Sequence, residues 1–381
     1  MRIGAVIAEY NPFHNGHAYQ LAQFRRECDL DYVVVIMSGC FVQRGEPAIC
    51  DKYTRARWAL MGGADMVIEL PVYYSLANAQ DFACGAVRTM SGIADVIGFG
   101  AETDNIDLLK QAAKVDTSSC ADETRGKSHP RAVHEYISKE YGDDLASVFS
   151  SPNSTLAVEY IKAVNLYAPD ISVHVTERIG AAHDSHAVTE GYASASTIRS
   201  MLLSGQDVSD FIPPYVDIEN RKLITAKDFD RLILHTLRSM KTDELGRIGY
   251  VREGLENLIS REAFRVTSYD ALLHAVKSKR YTMARLKRIC MCALFGITDE
   301  MTHSAPLYIH ILGVREYAKG PLLAELKKRS RLQILARGKD YKRYTDNSRA
   351  LTNTDLFATN TYALFCDELP NVDLINKLLI I

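Results

Sequence analysis

The sequence predicts an α/β protein: a doubly wound parallel sheet followed by a second, mainly helical and basic domain. Three observations support this. Short apolar runs alternate with helical patterns in the first half, polar and glycine-containing clusters follow these runs, and the pattern becomes mainly helical beyond residue 210. Accordingly, we predict an N-terminal domain at residues 1–210 and a C-terminal domain at residues 211–381.

Five apolar runs predict the strands of the sheet. They are IGAVIAE (3–9), DYVVVIMS (31–38), DMVIELP (65–71), ADVIGFG (94–100) and ISVHVTE (171–177). Nearly continuous apolar strands separated by helices are typical of parallel sheets that are covered on both faces. Ligands bind such sheets at the carboxyl ends of the strands, near the point where the strand order reverses. The functional residues are therefore expected just after the strands.

The pattern changes after residue 200. Segment 204–216 contains Gly205 and the pair Pro213–Pro214, which predicts a linker. Beyond it the sequence predicts helices at 228–240, 252–264, 269–279, 282–296 and 321–330, and short strands at 307–314 and 332–337.

The charge is distributed unevenly between the two halves. Residues 1–215 contain 17 Lys and Arg against 27 Asp and Glu, whereas residues 216–381 contain 28 against 20. A basic second half predicts contact with a polyanion, because Lys and Arg neutralise nucleic-acid phosphates whatever the sequence. An ordinary solvated surface is the alternative.

Cysteines and apolar segments exclude several protein classes. The eight cysteines form no CxxC pair and no set with zinc spacing, so reduced thiols are expected and no protein-held metal is predicted. The apolar stretch at the N-terminus is too short for a signal peptide or a membrane span. We therefore expect a cytoplasmic protein without a membrane partner.

The motif after the first strand indicates phosphate chemistry. His14 and His17 lie three residues apart at a helix that is predicted to begin near Asn15, so both rings can face one side. Gly16 lets a nucleotide approach the backbone, and a helix N-terminus favours an anion. These features predict nucleotidyl transfer or adenylation, in which charge builds on an α-phosphate. Structural histidines are the alternative, and a metal site lacks a third ligand.

A second cluster, at residues 194–199, can bind the other phosphates. Ser194, Ser196 and Thr197 precede a short predicted helix, and Arg199 lies in its first turns. Hydroxyl groups, a helix N-terminus and a guanidinium are all phosphate ligands, although an ordinary N-cap would use the same residues.

Residues near other strand ends can hold the nucleoside. Gly100 would let an adenine or ribose lie against the backbone, and Arg178 with Ile179 could wall an adenine pocket. Asn153, at a predicted helix start, could either read a base edge or cap the helix.

Six ordered motifs carry a family resemblance. They are GAVIAEYNPFHNGHAY, MSGCFVQRGEPA, DMVIELP, GFGAE, SPNSTLAVEY and SASTIRSML. In order and spacing they resemble the bacterial tRNA(Met) cytidine acetate ligase family, an offshoot of the HxGH nucleotidyltransferase superfamily. The segments RYTMARLKRI and YIHILGV are similar to it as well, whereas residues 116–132 match no motif of the family.

The resemblance implies an enzyme that uses ATP to form acetyl-adenylate from acetate and then acetylates N4 of the wobble cytidine of elongator tRNA(Met). It implies catalytic roles for His14, His17, Ser196 and Arg199, with Mg²⁺ held by the nucleotide phosphates. The implied ATP site comprises Ile7, Ala8, Glu9, Tyr10, Asn11, Pro12, Phe13, His14, Asn15, Gly16, His17, Ala18, Tyr19, Gln20, Gly100, Asn153, Arg178 and Ile179.

The basic second half would hold the tRNA. Candidate contacts are Lys279, Arg280, Lys287 and Arg288, with Tyr281, Tyr341 and Tyr344 able to stack on bases. Two alternatives remain open: another HxGH ligase or nucleotidyltransferase with a small carboxylate or phosphorylated substrate, and a non-catalytic RNA-binding protein. The first needs no large basic half, and the second has no physical reason to keep both imidazoles.

Overall fold

The structure, a computed structural model, describes residues 1–116, 129–178, 191–366 and 368–381. Within them the strands are β1 Ile3–Ala8, β2 Tyr32–Ser38, β3 Phe41–Val42, β4 Glu46–Pro47, β5 Met66–Leu70, β6 Val96–Ala101, β7 Ser172–Glu177, β8 Tyr308–Val314, β9 Gln333–Leu335 and β10 Leu379–Ile380. All seven strands that the sequence predicts are confirmed.

The helices of the described residues in the first half are α1 Asn15–Glu27, α2 Lys52–Met61, α3 Val72–Ser75, α4 Ala79–Met90, α5 Ile106–Ala112, α6 His129–Tyr141, α7 Asp143–Val148, α8 Pro152–Tyr167 and α9 Ala195–Leu203. Those of the second half are α10 Asp230–Ser239, α11 Thr242–Leu245, α12 Leu255–Ala263, α13 Tyr269–Val276, α14 Met283–Phe295, α15 Asp299–His303, α16 Glu316–Arg329, α17 Gly338–Tyr341, α18 Asp346–Ala363 and α19 Val372–Ile375. No helix among the described residues is both long and apolar enough to cross a bilayer.

The main sheet is doubly wound around β1. Its strand order is β10-β8-β5-β2-β1-β6-β7, and β1, β2, β5, β6 and β7 are parallel to their neighbours in that run. The chain passes from β1 outward to β2 and β5, then crosses back to β6 and β7 on the other side. The strand order therefore reverses between β1 and β6, where such folds bind ligands. The predicted fold class is confirmed.

The C-terminal part of the chain returns to this sheet. β8 pairs antiparallel with β5, and β9 and β10 pair with β8. The sequence predicts β8 and β9 as strands but not their place beside β5, because a local pattern does not reveal a partner so distant in the chain. A boundary at residue 210 stays a prediction, but the sheet itself draws on both sides of it.

Two apolar layers cover the sheet, and each includes residues from both halves of the sequence. Alternate side chains of β1 point to opposite layers: Ile3 and Ala5 into one and Val6 into the other. The first layer continues into α10 and α12–α14, whereas the second contains α1, α2 and the segment 198–218. The segment predicted as a linker is thus partly core, since Phe211 and Ile212 are buried in the second layer.

Candidate functional site

A cleft of about 570 Å³ lies at the switch point of the sheet, within the size range of small-ligand sites. Its walls come from the start of α1, the ends of β6 and β7, and the residues before α9. The lining residues are His14, Gly16, His17, Tyr19, Gln20, Gly100, Thr176, Glu177, Arg178, Tyr192, Ala193 and Ser194. Seven of them belong to the ATP site implied by the family resemblance.

The two histidines cap helix α1 with their Nδ1 atoms. His14 is the N-cap, and its Nδ1 accepts the amide of Gly16 at 3.1 Å. The Nδ1 of His17 in turn accepts the amide of His14 at 3.3 Å, and the two rings stack with 3.6 Å between centroids. A neutral imidazole that accepts at Nδ1 carries its proton on Nε2. Both Nε2 atoms are therefore hydrogen-bond donors.

Both imidazoles are held in the neutral form. Burial lowers the pKa of His14 to about 3, with the charges of Arg178 and Arg199 acting in the same direction. Burial also lowers the pKa of His17, with His14 and Arg178 adding to the effect. Neutral donors at a helix N-terminus suit an anionic ligand, whereas a general base would need its acceptor nitrogen free.

Small and aromatic neighbours fix the positions of these rings. A Cβ on Gly16 would lie 3.0 Å from Cε1 of His14, so only glycine leaves that ring undisturbed. Tyr10 and Phe13 are buried beneath the motif, and the ring of Tyr10 meets that of His17 edge-on at 4.7 Å. The HNGH sequence thus sets the geometry, and the aromatic residues before it provide the support.

Helix α9 brings the second predicted cluster to the same cleft. Ser194 caps α9 by accepting the amide of Thr197 at 3.1 Å, and its hydroxyl lies 2.9 Å from that of Ser196. Arg199 Nη1 donates to the carbonyl of Asn11 at 2.6 Å, which ties α9 to the histidine turn. Ser194 lines the cleft; Ser196 is exposed at the helix start, beside it.

The opposite wall is formed by β6 and β7. Gly100 pairs in register with Thr176, and a Cβ on Gly100 would lie 3.3 Å from Cγ of Arg178. Thr176 is buried, and its hydroxyl has no hydrogen-bond partner among the described residues. Sequence reasoning missed Thr176, although it lies on the same face of the strand as Arg178, two residues further on.

Asn153 does not line the cleft. It lies in the first turn of α8, where its amide donates to Glu102 at 2.6 Å. Glu102 also accepts from the hydroxyls of Ser151 and Ser154, and these hydrogen bonds oppose the effect of burial and lower its pKa. Of the two roles considered for Asn153, the structure favours the one at the helix start, and only its carbonyl is left for a ligand.

Other predicted site residues support the cleft from below. Ile7, Tyr10, Asn11, Pro12 and Phe13 are buried. Ala8, Glu9, Asn15 and Ala18 are partly buried and do not line it. Asn15 donates to the carbonyls of Gly191 and Asp210, both at 2.9 Å, and so joins α1 to the segments beside α9. Ile179 lies outside the described residues.

The predicted RNA contacts divide into two kinds. Lys279 and Arg280 are exposed, with Arg280 3.5 Å from Glu253. Lys287 instead forms an ion pair with Glu46, and Arg288 donates to the carbonyl of Gln43 at 3.3 Å. Both of these basic residues hold the β3–β4 hairpin, so they are already engaged within the chain.

The tyrosines near the basic clusters are mostly inaccessible. Tyr281 and Tyr344 are buried, and Tyr341 is partly buried. The expectation that Tyr281 and Tyr344 stack on bases is therefore wrong, because their rings pack inside the protein.

A buried charged cluster lies outside the cleft. Glu69, His310 and Asp373 could by spacing hold a metal ion, but Lys52 Nζ occupies the centre. It lies 2.7 Å from Glu69 Oε2 and 2.8 Å from Asp373 Oδ2. The ammonium supplies the positive charge that a metal would bring, so we assign the cluster a structural role that joins α2, β5, β8 and α19.

Comparison with known proteins agrees with the fold and the site. Residues 1–373 match the sequence model of the HIGH Nucleotidyl Transferase family. The tRNA(Met) cytidine acetate ligase of Thermoanaerobacter sp. (strain X514) is 33% identical, over 96% of this chain and 95% of that protein. The ligase of the same name from Caldanaerobacter subterraneus subsp. tengcongensis is 34% identical, over 94% of both.

Two solved structures are also similar. They are Thermotoga maritima TmcAL in an apo form and with alpha-thio ATP bound, each with a TM-score of 0.90, 28% identity and full coverage of both chains. The strand-end motifs, the switch-point cleft and these full-length matches lead to one conclusion. The chain belongs to the tRNA(Met) cytidine acetate ligase family of HIGH nucleotidyl transferases.

Proposed function

We propose that this protein activates acetate with ATP and transfers the acetyl group to N4 of the wobble cytidine of elongator tRNA(Met). One observation carries the proposal most directly. Two neutral imidazoles, His14 and His17, present Nε2–H donors at the N-terminus of α1, in a cleft at the switch point. The family relationship supplies the substrates that the cleft alone does not identify.

In the first step an acetate oxygen attacks the α-phosphorus of ATP. A new P–O bond forms, the bond to the β-phosphate oxygen breaks, and pyrophosphate leaves. We assign His14 and His17 to the α-phosphate oxygens, where added charge develops in the transition state. Ser196 and Arg199 are assigned to the departing pyrophosphate, because α9 places them beside the same turn.

The nucleoside is assigned to the wall formed by β6 and β7. Gly100 leaves room for the ring system, Arg178 closes one side, and the unpaired hydroxyl of Thr176 gains a partner. Asn153 contributes through its free carbonyl or by orienting Glu102.

Mg²⁺ is expected to arrive on the phosphates of ATP. Among the described residues lining the cleft, only Glu177 is a carboxylate, whereas Mg²⁺ sites are built from oxygen ligands. The residues present fit a polyphosphate and not a protein-held metal ion. No step of the mechanism therefore depends on a metal ligand from this chain.

In the second step the N4 amine of cytidine attacks the carbonyl carbon of acetyl-adenylate. The C–N bond forms, AMP leaves with the bridging oxygen, and one N4 proton is lost. The base must be unstacked to enter the cleft, as is usual for RNA loops. The exposed Lys279 and Arg280 remain candidate contacts for the tRNA backbone.

Mass spectrometry of tRNA nucleosides tests the proposal. Purified protein is incubated with elongator tRNA(Met), ATP and acetate, and with tRNA whose wobble cytidine is replaced by uridine as control. We expect one cytidine to gain an acetyl group in place of a hydrogen, only when all three substrates are present. Adenylate formation without any modified nucleoside would instead favour an HxGH ligase with a small-molecule acceptor.

A further inference from the structure

The cleft limits the side from which acetate can reach ATP. Its lining comes from α1, β6, β7 and the residues before α9, and no described residue of β2 or β5 takes part. Because β2 lies on the other side of β1 from β6, the nucleoside and the second reactant have opposite sides of the α1 turn available. An in-line attack needs the nucleophile opposite the leaving group. The β2 side, where the chain forms the β3–β4 hairpin, remains for acetate.

The hairpin is fixed rigidly on this side. The amide of Gln43 donates to Oε1 of Glu9 at 2.8 Å, which anchors the hairpin just beyond the end of β1. Gly45 has φ +76°, and a Cβ there would clash with the backbone nitrogen of Arg288. Together with the ion pair between Glu46 and Lys287, these interactions hold residues 43, 45 and 46 in place.

Arg44, between these anchored residues, has a different environment. It is exposed, and among the described residues it has no ion pair and no side-chain hydrogen bond. It also lies within electrostatic range of Arg199: burial lowers the pKa of Arg199, Glu9 raises it, and Arg44 lowers it. Two arginines that face each other in this way are stabilised by an anion between or beside them.

We propose that Arg44 binds the carboxylate of acetate and holds it for attack on the α-phosphorus. This inference rests on the proposed function. Acetate and ATP are both anions and repel each other, so a fixed guanidinium next to the phosphates offsets the repulsion and orients the nucleophile. Lys287 and Arg288 are then positioning residues, because they act through the hairpin that carries Arg44.

Acetate-dependent exchange of labelled pyrophosphate into ATP tests the assignment without RNA. For Arg44→Ala we expect the KM for acetate to rise at least about tenfold while the KM for ATP changes less than about twofold, and Arg44→Lys to retain part of the acetate affinity. Arg57→Ala is the matched control, since Arg57 is an exposed arginine on α2. Arg44 is exposed and unpaired among the described residues, so its variants should keep the wild-type unfolding temperature.

Other outcomes would overturn the assignment. A raised KM for ATP or pyrophosphate with unchanged acetate affinity would make Arg44 a phosphate ligand. Normal exchange with a raised KM for tRNA in acetylation would make it an RNA contact, and no change in either assay would leave it without a role in the reaction. If the wild-type protein itself shows no acetate-dependent exchange, the proposed function fails, and with it the role of Arg44.

Discussion

His17 performs two tasks with its two ring nitrogens. Nδ1 accepts the amide of His14 and helps to cap α1, which leaves Nε2–H for the ligand. A sequence pattern of two histidines around a glycine predicts that both rings share a face at a helix start. It does not reveal which nitrogen carries the proton, because this depends on backbone amides that turn toward the rings only in the folded state.

Substitutions at His17 can separate these two tasks. His17→Asn keeps an acceptor near the position of Nδ1 but loses the Nε2 donor, whereas His17→Gln places an amide N–H near the position of Nε2. We expect acetate-dependent exchange to fall by about two orders of magnitude or more in the Asn variant, and by less in the Gln variant. Wild-type turnover of His17→Asn would remove His17 from transition-state stabilisation.

Thr176 marks the limit of sequence reasoning at the residue scale. The sequence predicts His14, Gly16 and Arg178 as site residues because they belong to distinctive clusters after strands. Thr176 is one of several ordinary residues of β7, and its role emerges only because its buried hydroxyl, opposite Gly100, is unpaired among the described residues. Unpaired buried groups are not visible in a sequence.

At the scale of elements, β8 joins the second half of the chain to the first. It pairs with β5, and His310 on β8 bonds Glu69 on β5 at 2.6 Å. Nearby, the amide of Val72 donates to Asp355 of α18 at 2.6 Å, and the hydroxyl of Tyr308 donates to the same carboxyl group. The apolar run of β8 predicts a strand, but its partner, far away in the sequence, depends on tertiary packing.

Asp355 makes the stability of this junction depend on pH. Burial raises the pKa of its carboxyl group to about 7, and the charge of Glu69 acts in the same direction. In the unfolded chain the group titrates at about 3.9. The folded state therefore binds the proton more tightly, so this stabilisation is complete below pH ~4 and is lost as the pH rises through ~7.

Asp355→Asn should remove this pH dependence, since the amide can still accept from Val72 but does not ionise. We expect the wild-type free energy of unfolding to fall by about 2 kcal/mol relative to the variant between about pH 5.5 and pH 8. Urea unfolding of both proteins at the two pH values measures this difference. A constant gap between them would contradict the assigned titration.

For the whole molecule, the charge asymmetry is visible in the sequence, but its consequence depends on the fold. Lys279 and Arg280 are exposed, whereas Lys287 and Arg288 hold the β3–β4 hairpin. Charge counting treats all four alike, because it cannot distinguish a solvated cation from one that is paired with Glu46. The sheet likewise joins segments that composition alone assigns to separate domains.

The exposed pair can be tested for RNA binding. Lys279→Glu with Arg280→Glu should raise the KM for tRNA in acetylation and reduce its salt dependence, by about one unit of slope for each phosphate that is no longer neutralised. Exchange between ATP and pyrophosphate should not change, since that step needs no RNA. Lys110→Glu with Lys114→Glu, an exposed pair in the acidic half, is the matched control. Equal effects of the two double variants would exclude a specific RNA site at Lys279 and Arg280.

The most direct test of the proposed chemistry is the exchange of labelled pyrophosphate into ATP by the wild-type protein in the absence of RNA. If the cleft between α1 and β6 activates a carboxylate, exchange will require acetate and proceed without tRNA. It will also persist at about pH 6 to 8, where both imidazoles stay neutral because their pKa values lie below this range. Exchange that needs tRNA, or that proceeds without acetate, would contradict the proposed activation of acetate in this cleft.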